Sequence, residues 1–251
     1  MGLPVVLAKP AVATRFDSVA ELPDFRLRAL MSEADWASLP LAVRRRFSKR
    51  LLAGQSIVYT GEILELRMSL VGWLLAQAAR LIGAPLPVTP SPHRADLHIP
   101  SVVTVTGGSL GKDLSGQIWT RLYSRSRGFP QVIHSSKRFA GPTGLEEYVG
   151  FGIGMALVVY ARDGALVFRS KHYFVQLFGR RFVLPAWLTP GTLYVTHADL
   201  PDGKFSFTLQ LFHPRLGLLM RQMAIFREVA PLSEAAGGPA AIEVTALGVA
   251  S

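Results

Sequence analysis

The second half of the chain is a series of short strand-like segments separated by turns, and this pattern limits the folds available to it. Asp163-Gly164 and Pro201-Asp202-Gly203 each separate two such segments, and an Asp-Gly pair in this position is a strong hairpin signal. The sequence from 101 to 229 predicts roughly nine strands whose short connections make neighbours antiparallel. An up-and-down meander of this length tends to curl and close, because closure removes its exposed edges.

The first hundred residues show helical spacing instead. Ser32 is a candidate N-cap that precedes acidic residues in a first helical turn. After a break over 55–61, the apolar pattern of 62–82 predicts a second helix, and five prolines stiffen the connector at 84–100. We therefore expect an α+β, mainly antiparallel β protein, with N-terminal helices before a calycin-like or START-like barrel or half-barrel. The predicted organisation is an N-terminal extension (1–31), a helical segment with a Pro-rich connector packed on the barrel (32–100), the barrel (101–229) and a flexible tail (230–251).

The composition is apolar, basic and free of cysteine. Hydrophobic residues make up 49% and charged residues 18%, which excludes a disordered chain. The absence of cysteine excludes disulfides, thiolate zinc sites and a cysteine nucleophile. The N-terminus lacks the basic region of a signal peptide, and the most apolar windows are shorter than the roughly 18 residues that a spanning helix needs. The sequence predicts a cytoplasmic protein, with peripheral contact to a membrane left open.

The net charge of +10 is spread over the predicted strands and is not gathered in a tail. Arg121, Arg125, Arg221 and Arg227 are expected on outward strand faces. A basic surface of this kind suits an anionic membrane or an acidic protein partner. Nucleic acid is the less favoured partner, although Trp119 alternates with Arg121 as in single-strand binders.

Strand alternation assigns the inward faces of the predicted barrel. In 165–178 the even residues are expected inward, because the odd set contains Arg169 and Lys171; in 204–213 the odd, aromatic set is expected inward. The predicted ligand-binding residues are Phe168, Ser170, His172, Phe174, Gln176, Phe205, Phe207 and Gln222. Their polar members either form a satisfied core network or line an apolar cavity and orient a ligand.

A second hypothesis places chemistry in the same cavity. If Glu147, His172 and His197 converge, they form an acid–base set for a cofactor-free isomerase, hydratase or cyclase. The alternative is that Glu147 is ion-paired with Arg138 or Arg169 and is purely structural. The histidines show no metal-binding spacing, so neither a metal nor another cofactor is predicted.

Several segments together resemble a known family. They are LPLAVRRRF at 39–47, Glu147 before the glycines, DGALVFRSKHYF at 163–174, LPAWLTPG at 184–191, HAD at 197–199 and GKFSF at 203–207. This set is similar to the bacterial domain-of-unknown-function family 4166, over roughly 32–229. Members of that family are often fused behind saccharopine-dehydrogenase-like reductases. The resemblance implies work beside a reductase on a small or lipidic substrate, and it assigns no reaction to a residue.

Three functions follow as hypotheses. The first is binding of a small hydrophobic ligand, of lipid, isoprenoid or polyketide type, in the barrel cavity beside a reductase partner. The second is the cofactor-free enzyme described above. The third is an interaction protein whose basic surface docks on an anionic membrane or an acidic partner.

Overall fold

The computed structural model describes residues 22–83, 85–109, 115–125 and 128–229. The helices are α1 (Glu33–Ser38), α2 (Leu41–Phe47) and α3 (Leu70–Ala79), and short 3-10 turns span Arg28–Leu30, Arg80–Ile82 and Ala186–Leu188. The strands are β1 (Leu22–Pro23), β2 (Lys49–Arg50), β3 (Ser56–Met68), β4 (Asp96–Ser109), β5 (Ser115–Tyr123), β6 (Gln131–Arg138), β7 (Glu146–Gly150), β8 (Ile153–Arg162), β9 (Ala165–Leu177), β10 (Arg180–Val183), β11 (Thr192–Asp199), β12 (Lys204–His213) and β13 (Gly217–Glu228). The predicted tail at 230–251 lies outside the described residues, as does most of the predicted extension.

Ten antiparallel strands form a closed barrel. Their order is β9, β11, β12, β13, β3, β4, β5, β6, β7 and β8, and β8 pairs again with β9 to close the ring. β10 adds an extra strand beside the last residues of β9, and β1 pairs with β2 in a separate two-stranded ladder. The predicted architecture, helices followed by a curled antiparallel meander, is confirmed.

The predicted helix over 62–82 is wrong in its first part, since β3 continues to Met68 and only α3 is helical. β3 pairs with both β13 and β4, and so joins the two ends of the meander. A bulge explains the misleading pattern. Met223 pairs with Glu65 and Ala224 with Ile63, which leaves Leu64 as an extra residue. Three buried side chains of β3, Tyr59, Ile63 and Leu66, therefore follow spacings of four and three residues, which imitate a helix.

The two ends of the barrel differ in the elements that cover them. At the α1–α2 end lie the β8–β9 turn at Asp163-Gly164 and the β11–β12 turn at Asp202-Gly203, and α1 and α2 pack on β8 and β11 there. At the α3 end lie the β7–β8 turn, the β9–β10 turn and the β12–β13 turn, and α3 packs against the start of β13. Within the described residues, no helix has the length and apolar character needed to cross a membrane.

Candidate functional site

Two small cavities lie inside the barrel and share part of their walls. The larger, of about 60 Å³, lies between α2 and the strands, and the smaller, of about 20 Å³, lies nearer the α3 end. Both are bordered by Tyr59, Trp119, His197 and Phe205. An apolar cavity that binds benzene has about 150 Å³. The interior is therefore mostly filled by side chains, with room for a small group of atoms.

A buried ion cluster occupies the wall of these cavities. The Lys137 Nζ atom donates to a Glu147 carboxylate oxygen at 3.1 Å, and Arg121 lies 3.9 Å from the other oxygen. Arg121 also donates to the Ser135 hydroxyl at 3.1 Å. Burial opposes ionisation of Glu147, but the two cations outweigh it and hold the pKa of Glu147 below its ordinary value. Burial lowers the pKa of Lys137, although Glu147 counteracts this effect.

The strand register explains why these charges meet inside the barrel. Lys137 of β6 pairs with Glu147 of β7, and Glu147 pairs with Met155 of β8, so their side chains share one face. Lys137 Nζ lies 4.8 Å from the Trp119 ring centroid, a cation–π contact that offsets part of its desolvation.

Arg46 brings a further cation from α2. Its side chain is 11% exposed and its Cζ atom lies 3.9 Å from the ring centroid of Phe205. Arg46 is three residues after the fully buried Val43, so both project from the helix face that packs on the barrel. Its Nη2 atom is 3.9 Å from Asp199, and its buried Nη1 atom has no hydrogen-bond partner among the described residues.

His197 lies at the centre of an aromatic cluster. Its ring centroid is 5.0 Å from that of Phe47 and 5.3 Å from that of Phe207, with Phe168 and Phe205 each at 6.0 Å. Burial, together with nearby cations, holds the pKa of His197 well below its ordinary value, so the ring is neutral at pH 7. Its Nδ1 atom is buried and has no partner in the described part of the chain. A neutral imidazole of this kind offers one donor and one acceptor to a ligand.

One comparison with known proteins identifies the family. The family model described as Domain of unknown function (DUF4166) matches residues 39–226, which include the ion cluster, Arg46 and His197. The chain belongs to this family. No curated protein and no solved structure gives a significant match to the chain. The resemblance seen in the sequence is thus confirmed, and for this DUF4166 chain the functional argument depends on its own geometry.

The predicted ligand-binding residues divide into two groups. Phe168, Phe205, Phe207 and Gln222 line the cavities, and Tyr123 donates to the Gln222 carbonyl at 3.4 Å. The other four lie on β9. Ser170 is buried and accepts a hydrogen bond from the Leu193 backbone at 2.9 Å, whereas His172, Phe174 and Gln176 lie on the outer face of the barrel.

A second bulge corrects the predicted inward face of β9. Leu157 pairs with Ser170 and Ala156 with His172, which leaves Lys171 as an extra residue and reverses the alternation beyond it. His172 shares the outer face with Glu146, because both are in register with Ala156. Phe174 is nevertheless fully buried there, under the Tyr148 ring and the Arg181 guanidinium.

The acid–base set of the enzyme hypothesis is therefore not assembled as a group of three. Glu147 and His197 both face the interior, and Lys137 contributes to the electrostatics of each. His172 lies on the opposite side of the barrel wall, where Arg181, Lys171 and Glu146 are its charged neighbours. Among the described residues, no three His, Asp or Glu side chains are grouped so as to hold a metal ion.

Sequence reasoning missed the cations that define the site. Arg121 was expected on an outward face, but it is 13% exposed and lies inside with Trp119 and Tyr123. The sequence does contain a signal for this placement: Arg121 lies between two aromatic residues at two-residue spacing, which puts all three side chains on one face of the strand. The spacing of Arg46 from Val43 was a comparable signal on α2. Lys137 had none, since 131–138 carries no clear alternation of apolar and polar residues.

Proposed function

We propose that the barrel of this DUF4166 protein binds a small organic anion with an apolar body. The observation that carries the proposal is that Arg46 borders the larger cavity and that its buried Nη1 atom has no partner among the described residues. A buried cationic N–H without an acceptor is costly, and an anionic ligand would satisfy it. The anionic group would lie between Arg46 and Lys137, with its apolar body among Phe47, Phe168 and Phe205.

The balance of buried charge supports an anion. Arg46, Arg121 and Lys137 are three cations, against the carboxylates of Glu147 and of the less buried Asp199, while the nearby carboxylates of Asp24 and Glu228 are paired with Arg26 and Lys49. The neutral state of His197 follows first from its burial, and the same excess of positive charge adds to it, because neighbouring cations oppose its protonation. A bound carboxylate would bring the interior close to neutrality.

The cavity volume narrows the range of ligands. Pockets for drug-sized molecules have roughly 300–1,000 Å³, well above the volumes of the two interior cavities. The larger cavity suits a carboxylate on a short aliphatic body, whereas an aromatic ring would need part of the wall to move. A long lipid, isoprenoid or polyketide chain would need α2 to move outward, because Arg46 and Phe47 of α2 form part of the wall.

Titration with a matched series of ligands tests this proposal. Native mass spectrometry of protein purified without detergent first detects any ligand that is carried along. Calorimetric titration then compares short-chain and aromatic carboxylates with the corresponding alcohols. We expect the carboxylates to bind at least about tenfold more tightly, since a charge-assisted hydrogen bond contributes more than a neutral one.

Two variants on α2 separate a specific site from general attraction to a basic protein. Arg46→Met should abolish the preference for carboxylates, because it removes the unpaired N–H group. Arg45→Met removes the neighbouring, exposed arginine of the same helix and should leave binding unchanged. Equal loss in both variants, or equal affinity of wild type for acid and alcohol, would overturn the proposal.

The family resemblance also implies a reductase partner, and this remains a prediction. Co-purification of the chain with a saccharopine-dehydrogenase-like reductase, in the presence and absence of a bound carboxylate, tests it.

A further inference from the structure

Large apolar side chains are exposed chiefly at the α3 end of the barrel. Side chains at least half exposed there include Leu74, Leu81, Phe151, Phe178, Trp187 and Leu188. The α1–α2 end exposes fewer, such as Phe25 and Leu41. Apolar groups gathered on one part of a surface indicate contact with another apolar phase or surface.

Two turns at this end contain phenylalanine where the backbone disfavours it. Phe151 and Phe178 have φ of 47° and 50°, in the left-handed region, and each precedes a glycine. At the opposite end the same turn position is held by Asp163 and Asp202, with φ of 50° and 60°. Aspartate tolerates this conformation well, whereas a bulky residue is an outlier there. Phe178 is fully exposed and Phe151 is 74% exposed, so neither gains burial in return.

Helix α3 packs small residues against the barrel and exposes several of its large side chains, although Trp73 and Leu75 are partly buried against the core. It buries Gly72, Ala76 and Ala79, and a Cβ atom at position 72 would lie 2.0 Å from the Leu219 carbonyl oxygen, so this face has to be small. Leu70 and Leu74 are exposed, and α3 contains no charged residue. A surface helix normally shows the reverse arrangement, while a helix that lies in a membrane interface presents an apolar face outward.

Exposed cations surround these apolar groups. Arg80 follows α3, Arg94 precedes β4, Arg180 lies in the β9–β10 hairpin and Arg215 in the β12–β13 turn, and all four are exposed. The turns of the α1–α2 end carry Asp163 and Asp202 beside the exposed cations Arg162 and Lys204, and so lack the aromatic protrusions of the α3 end. The α3 end therefore combines apolar protrusions with positive charge.

We infer that the α3 end of the barrel docks on an anionic lipid bilayer. α3 lies along the surface, and Phe151, Phe178 and Trp187 enter the head-group region, where aromatic side chains are favoured. The protruding phenylalanines come from separate turns. A bilayer accepts such separate protrusions without a shaped counter-surface, whereas a folded partner would need a matching pocket for each. The inference is independent of the proposed ligand, because it concerns the opposite end of the molecule.

Vesicle flotation tests the inference with the full chain. Vesicles of phosphatidylcholine alone are compared with vesicles that also contain phosphatidylglycerol, at low and at high salt. Wild type should float with the anionic vesicles at low salt and lose much of this binding at high salt. Brominated lipid in the anionic vesicles should quench Trp187 fluorescence, and Trp187→Phe should remove the quenched signal.

The double variant Phe151→Asp/Phe178→Asp provides the decisive comparison. Its partition coefficient should fall by about a hundredfold, since each inserted phenylalanine side chain changes partitioning by about tenfold or more. Aspartate suits the left-handed turn position, so the variant should remain folded, as circular dichroism will check. Phe25→Asp, at the opposite end, should bind vesicles as wild type does.

Three results would overturn the inference. The first is no flotation with anionic vesicles at low salt. The second is equal flotation of wild type and the double variant. The third is self-association in sedimentation velocity that the double variant abolishes while vesicle binding is absent, which would assign this end to a protein interface instead.

Discussion

The two ends of the barrel use the same turn geometry with opposite chemistry. At the α1–α2 end, Asp163 and Asp202 adopt a left-handed conformation that suits them; at the α3 end, Phe151 and Phe178 adopt nearly the same angles at a cost. The α1–α2 end covers a cavity lined by buried charges, whereas the α3 end exposes leucine and aromatic side chains. The difference shows that local backbone stability explains the first set of turns but not the second, for which we inferred contact with a lipid surface.

The largest expected effect comes from the ion cluster. Lys137→Met leaves Glu147 buried with only Arg121 nearby, and breaking such a pair should lower the free energy of unfolding by about 3 kcal/mol. Urea denaturation measures the loss. The double variant Lys137→Met/Glu147→Leu should recover most of it, because no unpaired carboxylate remains. A double variant as unstable as the single one would show that packing, and not charge, holds this wall together.

A pH series tests the neutral state of His197. Because its pKa is lower in the folded than in the unfolded protein, unfolding takes up a proton once the pH falls below the unfolded value. Stability should therefore be present above about pH 6.5 and fall by up to about 1.4 kcal/mol per pH unit as the pH drops towards 5.

The variant His197→Gln is the control for the pH series, because it removes the titrating group. Its stability should depend less on pH between about 6 and 5 than that of wild type, as unfolding midpoints at each pH will show. The Glu147 carboxylate has a lowered pKa and loses its stabilising effect only at lower pH, so the two groups are separable. Equal slopes for wild type and variant would contradict the burial of an uncharged ring.

Exchanging the turn residues tests the comparison of the two ends directly. Asp202→Phe should lower the free energy of unfolding by about 1 kcal/mol, since a bulky side chain is disfavoured in the left-handed region. Phe178→Asp should raise it by a similar amount. Thermal unfolding of both variants measures the difference. A loss of stability in Asp202→Phe together with a gain in Phe178→Asp would show that phenylalanine at position 178 destabilises the folded protein. Unchanged stability in Phe178→Asp would argue against this destabilisation.

The smallest effect is expected on the outer face of α3. Leu74→Lys replaces a half-exposed leucine, so the change in stability should stay within about 0.5 kcal/mol. The same substitution should weaken binding to anionic vesicles even though it adds a positive charge. A stability loss well above this range would mean that Leu74 packs against the protein and not outward.

The architecture follows from the sequence, but the positions of its bulges do not. The Asp-Gly turns and the short connections between strands predict antiparallel pairing and closure of the barrel. Leu64 and Lys171 each insert one residue into a strand, and neither insertion has a local signal, because it depends on the register of the neighbouring strands. One bulge made a strand resemble a helix, and the other moved His172 to the outer face.

The candidate site is predictable only in its aromatic part. Phe168, Phe205 and Phe207 follow from alternation in strands with regular pairing. The sequence alone does not predict that Lys137 and Arg121 are buried. A lysine or arginine is normally solvated, and its burial depends on a partner from another strand. That partner, Glu147, is adjacent to Glu146, and only the register decides which of the two carboxylates faces inward.

Closure of the sheet also determines how a ligand would enter and leave. Hydrogen bonds run around the whole ring, so passage through the wall would require two strands to separate. The α1–α2 end is covered by helices instead, which are held by side-chain packing on β8 and β11, by the two-residue ladder of β1 and β2, by the ion pair of Lys49 with Glu228 at 2.7 Å, and by the contact of Arg46 with Asp199. The rates of ligand binding and release should therefore follow the rate at which this N-terminal segment opens. The residence time of a ligand would then depend on that segment as well as on the cavity.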